Sequence, residues 1–108
     1  MAEIERSSHT DFENTIKSGV TLIDFNAPWC TPCRALDPLI TELEKAYKHK
    51  AAVLKVNIDE HREIAVNLGI QSIPTIIIFK EGREKKRFIG IQAAETLHKA
   101  LEEAIAIA

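Results

Sequence analysis

An α/β fold with a mixed sheet between helices is what this chain predicts, and three segments carry the prediction. Val20–Asn26 is a β-rich, mostly apolar run of strand length, the pattern of a strand covered on both faces. Leu36, Leu39, Ile40, Leu43 and Tyr47 then recur at helical spacing. Leu54, Val56 and Ile58 alternate with Lys55 and Asn57, as a second strand does. Strand, helix and strand in that order form a βαβ unit, whose two strands run parallel.

The other elements are read outward from that unit. A short first strand is expected at Glu3–Arg6. Thr10 with Glu13 has the spacing of a capping box, and Phe12 with Ile16 makes a short amphipathic helix that stops by Gly19. The central helix is expected from about Cys33 to Tyr47, and a short helix from about Arg62 to Leu68, ended by Gly69. Thr75–Phe79 and Lys86–Ile89 flank a charged segment whose Glu81-Gly82 core reads as a hairpin turn. Leu97, Leu101, Ala104 and Ile105 share one face of a last helix. The order is β-α-β-α-β-α-β-β-α, with four to five strands in the sheet.

The bulk properties limit the classes of function. With 108 residues, 45% of them hydrophobic, the chain is expected to be one domain, 1–108, with a core of its own. A formal net charge of −2 gives no electrostatic reason to expect nucleic acid or a membrane surface. The segment Lys80–Arg87 is rich in basic residues, but a solvated turn accounts for it more simply than an acidic partner does. No apolar run approaches the roughly 18 residues of a membrane span. The polar start, Met1-Ala2-Glu3-Ile4-Glu5-Arg6, lacks a signal-type apolar stretch, so a cytoplasmic location is expected.

Chemistry concentrates in Trp29-Cys30-Thr31-Pro32-Cys33, which contains both cysteines of the chain. A disulfide across two intervening residues closes a very small loop and removes little entropy from the unfolded chain, so it is a poor staple. In a reducing compartment such a pair is better explained by a bond made and broken in use. Structural zinc would call for four ligands, and the 4 histidines (His9, His49, His61, His98) stand singly along the chain. Haem attachment would require His after the second cysteine, where Arg34 stands. The pattern is that of a dithiol–disulfide oxidoreductase, with the pair at a strand-to-helix turn on the carboxyl edge of the sheet, where open α/β sheets do their chemistry.

The residues in register with this motif resemble the thioredoxin family. Trp29-Cys30-Thr31-Pro32-Cys33 is similar to the family's active-site motif. Asp24-Phe25 precedes it at the family's distance, Pro38 falls inside the second helix, and Lys55 lies in the next strand. Ile73-Pro74-Thr75 resembles the family's cis-proline loop, and Gly90 matches a glycine near the end of the last strand. The resemblance runs from the first strand to the last helix and implies the thioredoxin fold.

Cys30, at the amino end of a helix, is the expected attacking thiol, because the dipole and unpaired N–H groups there favour a thiolate. Cys33, a turn further on, is placed to resolve the mixed disulfide. A carboxylate at Asp24 in an apolar strand is costly to bury unless paired or neutral, and burial would raise its pKa. That suits a base taking the Cys33 proton, the role the resemblance also implies, with Lys55 as a neighbouring partner. Pro32 stiffens the first helical turn. The resemblance implies a cis bond before Pro74, facing the cysteines, and a substrate-binding rim of Trp29, Ile73, Pro74, Thr75, Gly90 and Ile91. For Ile73 and Ile91, core packing is the competing account.

Three residues depart from the family pattern. Thr31 replaces Gly between the cysteines, Asn26 stands where many members carry tryptophan, and Asp37 adds a negative charge near the motif, with a solvated helix face as its simpler account. The implied function is a small reductant of protein disulfides, itself reduced by a thioredoxin reductase. No cofactor beyond the Cys30–Cys33 pair and no metal are expected, and the chain is expected to be a monomer. A more oxidising dithiol oxidant or isomerase is the alternative, and a redox-idle scaffold a more distant one.

Overall fold

A computed structural model gives the architecture, describing the backbone of residues 2, 3 and 9–107 and the side chains of residues 11–107. Its elements are β1 (Ala2–Glu3), α1 (His9–Ile16), β2 (Val20–Asn26), α2 (Thr31–Ala46), β3 (Ala52–Asn57), α3 (Arg62–Asn67), β4 (Thr75–Lys80), β5 (Arg83–Ile89) and α4 (Ala94–Ala106). This is the element order read from the sequence. The strands form one mixed sheet in the order β1-β3-β2-β4-β5. β3 lies parallel to both β1 and β2, while β4 runs antiparallel to β2 and β5.

The central strand explains why the sheet is sealed on both faces. Leu22, Ile23, Asp24 and Phe25 are all fully buried, as a continuous apolar strand demands. Val20 and Leu22 pack with Ile40 and Leu43 of α2 and with Leu97 and Leu101 of α4. Ile23 and Phe25 face the other way, against Phe12 and Ile16 of α1 and Ile64 of α3. Phe12 meets Phe79 edge-on, with ring centroids 6.0 Å apart, the geometry that the ring quadrupoles favour. By alternation, Asp24 points to the same side as Leu22, beneath α2.

Several boundaries differ from those read in the sequence. β1 begins at Ala2, and the remainder of the expected first strand, Ile4–Arg6, lies outside the described residues. α1 begins at His9, so Thr10 already has helical backbone, and its side chain lies outside the described residues. α2 starts at Thr31, ahead of the expected Cys33, because Cys30 is its N-cap and Pro32 occupies its first turn. A missing N–H is harmless there, where backbone donors have no helical partner. Pro38, inside α2, removes one donor from the ladder at the Arg34 carbonyl. β3 ends at Asn57, one residue before Ile58.

The hairpin matches its sequence signal. Glu81 and Gly82 adopt φ of 51° and 83°, and Lys80 pairs with Arg83 across the two-residue turn. Two left-handed residues suit the twist of the strands, and Gly takes that conformation without strain. A register shift at Ile78/Phe79 follows. Lys80 then reaches the end of α4, where its Nζ donates to the carbonyls of Ala104 at 2.7 Å and of Ile107. An ammonium at a helix C-terminus satisfies carbonyls that have no helical donor.

Candidate active site

Three chain segments meet at one edge of the sheet, and the strand register dictates the meeting. Phe25 of β2 pairs with Thr75 of β4, and Thr75 pairs with Ile89 of β5. The residues just past β2, just before β4 and just past β5 therefore come together. They are the cysteine loop, Pro74 and Gly90. The Gly90 N–H donates to the Pro74 carbonyl at 2.8 Å. The Ile73–Pro74 bond is cis.

Cys30 and Cys33 are joined as a disulfide, with their Cα atoms 5.3 Å apart. Cys30 is the N-cap of α2, and its sulfur accepts a hydrogen bond from the Cys33 backbone N–H at 3.2 Å. The same sulfur lies 3.9 Å from the Ile73 carbonyl oxygen. Both cysteines are buried and pack with Ala27, against Ile58 and Ile73 at the edge of the cluster. Thr31 and Pro32 are exposed at the first turn.

Asp24 lies on β2 beneath α2, the helix that carries Cys33. The residue is wholly buried, and neither carboxylate oxygen has a hydrogen-bond partner. Burial pushes its pKa up to about 7, the nearby Asp37 charge adds to the rise, and the Lys55 ammonium opposes it. A carboxyl with that pKa can hold or release a proton near neutral pH. Lys55 is the register partner of Asp24 across β2 and β3. Its ammonium, however, pairs with Asp37 of α2 at 2.6 Å. Asp37 is thus held in an ion pair and is only partly solvated.

An open cavity of about 310 Å³ adjoins this group, lined by Asn26, Ala27, Cys33, Arg34, Asp37 and Lys55 among others. Asn26 contributes its side chain to the wall and donates from Nδ2 to the Asp24 backbone carbonyl at 3.0 Å. Among the described residues no group of three or more His, Cys, Asp or Glu side chains could hold a metal ion. No helix among them is long and apolar enough to cross a membrane.

The family model "Thioredoxin" matches residues 3–103. The chain belongs to the thioredoxin family. A thioredoxin of Staphylococcus aureus is 38% identical over 100 residues, covering 93% of this chain and 96% of that protein. The thioredoxin of Malassezia sympodialis superimposes with a TM-score of 0.87 at 30% identity, over 97% of this chain and 93% of that one. An oxidised mitochondrial thioredoxin 3 of Saccharomyces cerevisiae gives 0.85 at 30%, over 95% and 94%. Family membership with a bonded Cys-x-x-Cys pair makes this a thiol–disulfide oxidoreductase of the thioredoxin type.

The rim residues divide by exposure. Trp29 is 66% exposed and Ile91 58%, so Ile91 is no core residue. Ile73 is partly buried against the cysteine cluster, and Pro74 and Thr75 are buried at its base. Ile89 on β5, beside Gly90 in the chain, is a further exposed apolar residue, at 63%. Trp29 is held in place by its Nε1, which donates to Asp59 Oδ2 at 2.9 Å. Asp59 lies 30 residues away in the chain, so no local signal could have marked it.

Proposed function

We propose that the chain is a reductant of protein disulfides, cycling Cys30–Cys33 between dithiol and disulfide. The observation that carries this reading is the Cys30 sulfur capping α2, with Asp24 buried on β2 beneath that helix. In the reduced protein the Cys30 sulfur keeps the helix terminus and the Cys33 N–H, which stabilise the thiolate. The thiolate attacks a sulfur of the substrate disulfide, and the other substrate sulfur leaves as a thiolate. Cys33 then loses its proton to the Asp24 carboxylate and attacks Cys30. The mixed disulfide breaks, the second substrate sulfur departs with the bonding pair, and Cys30–Cys33 is oxidised.

Docking uses the exposed ring of Trp29 and the apolar Ile89 and Ile91, with the Ile73–Thr75 and Gly90 backbone bordering the sulfur. A reductase of the thioredoxin-reductase class returns the two electrons by the same exchange run in reverse. The electrons travel on sulfur, so no further cofactor or metal is required. The 1–108 chain acts as one domain and as a monomer, in the cytoplasm, where a reducing poise keeps the pair in use.

The test is reduction of a protein disulfide with dithiothreitol as electron source. The unaltered protein accelerates it, Cys30→Ser abolishes the acceleration, and Cys33→Ser accumulates mixed disulfides. Equal activity in all three proteins would contradict the proposal.

A further inference from the structure

The Asp37–Lys55 pair lies beside the one buried carboxyl of the site, and its geometry is selective. Lys55 is the register partner of Asp24 on the parallel strand β3, so the two side chains project from the same face of the sheet and an ion pair between them is the simple expectation. The ammonium instead lies 2.6 Å from Asp37 Oδ1, while both oxygens of Asp24 stay without a hydrogen-bond donor. Asp37 reaches down from the helix that carries Cys33, and both residues line the same cavity.

We infer that Asp37 is a positioning residue, holding the Lys55 ammonium on the α2 side of the cavity and away from Asp24. This rests on the proposed role of Asp24 as acceptor of the Cys33 proton. A carboxylate paired to an ammonium is a weak base, because the ion pair is lost when the proton arrives. With Lys55 engaged by Asp37, Asp24 gains more by taking the proton. In the resolving step the proton leaves Cys33 Sγ for the Asp24 carboxylate. The Cys33 sulfur uses its freed pair to bond Cys30, and the substrate sulfur departs with the pair of the broken bond.

The surroundings of Asp24 leave few other charges to consider. The charges that act on it are Asp37 of α2 and Lys55 of β3, and the cavity those two share is lined from α2 also by Cys33 and Arg34. Its register partner on β4 is Ile76, and α4 presents only apolar buried residues, Leu97, Ala100, Leu101 and Ala104. Its own strand supplies the Asn26 amide. Removing the Asp37 charge therefore acts twice: one repulsion disappears, and Lys55 is free to turn to Asp24.

The experiment is a carbon-13 carboxyl NMR titration of Asp24 in the oxidised protein. Asp37→Asn is expected to lower the Asp24 midpoint by about one pH unit, and Asp37→Glu to restore it. In a Lys55→Gln background the same Asp37→Asn change should move the midpoint by less than half as much, since no ammonium remains to be released. An unchanged midpoint in Asp37→Asn would overturn the inference. So would equal shifts in both backgrounds, which would mean that Asp37 acts by its own charge alone. The titration needs no substrate. A protein that titrates as expected but fails to reduce disulfides would locate the failure in the proposed function instead.

Discussion

The backbone N–H of Cys33 donates to the sulfur of Cys30 at 3.2 Å, so the first cysteine caps the helix that carries the second. The two thiols are thereby unequal in the reduced protein. One sits at the positive end of the helix dipole, while the other lies a turn inside. With iodoacetamide at pH 7, Cys30 should be alkylated at least about tenfold faster than Cys33. Peptide mapping after brief labelling reads the ratio, and equal labelling would contradict the assignment of roles.

Asp24 gives the protein a distinctive stability profile. Burial holds its folded pKa near 7, above the ordinary 3.8. The native state therefore binds this proton more tightly than the unfolded chain does. The associated stability is fully present below about pH 4 and is lost as pH rises through 7. Asp24→Asn removes the titration. Its advantage over the unaltered protein should grow between pH 4 and pH 8 by on the order of 4 kcal/mol. Urea unfolding at the two pH values measures it, and a difference that does not change with pH would refute a buried, proton-holding Asp24.

Trp29 offers a large exposed ring pinned by Asp59. Trp29→Ala should raise KM for a protein disulfide by about tenfold, within the range of aromatic contact residues. Reduction of a small aromatic disulfide should change little, as should the thermal midpoint. A loss of equal size on both substrates would mean that the ring serves the thiols and not docking.

Away from the site, the Tyr47 hydroxyl donates to Glu102 Oε2 at 3.1 Å and stands 3.1 Å from His98 Nδ1, joining the end of α2 to α4. Tyr47→Phe should lower stability by about 1 kcal/mol, leaving disulfide reduction unchanged. An effect on activity would show that this clasp communicates with the cysteines.

What was legible in the sequence was set by local signals. Val20–Asn26 lies between a glycine and the cysteine loop, so its limits were plain. The Glu81-Gly82 turn carried its own chemistry. The start of α2 was hidden, because Thr31-Pro32 looks like loop until Cys30 is seen to be a cap. Long-range pairs were out of reach for another reason. Lys55 and Asp37 sit on different elements, and only the crossover of α2 above β3 brings them together. The same holds for Trp29 with Asp59, and for Lys80 at the end of α4.

Whether Cys30–Cys33 is a reducing pair is read from its midpoint potential. The purified protein is equilibrated against dithiol buffers of known poise and its thiols are trapped and counted. Thioredoxins as a class lie at about −270 mV, and a value close to that is expected for this pair. A potential of about −180 mV, the range of disulfide isomerases, would rule out a general reductant and make the chain an oxidant or isomerase on the same fold.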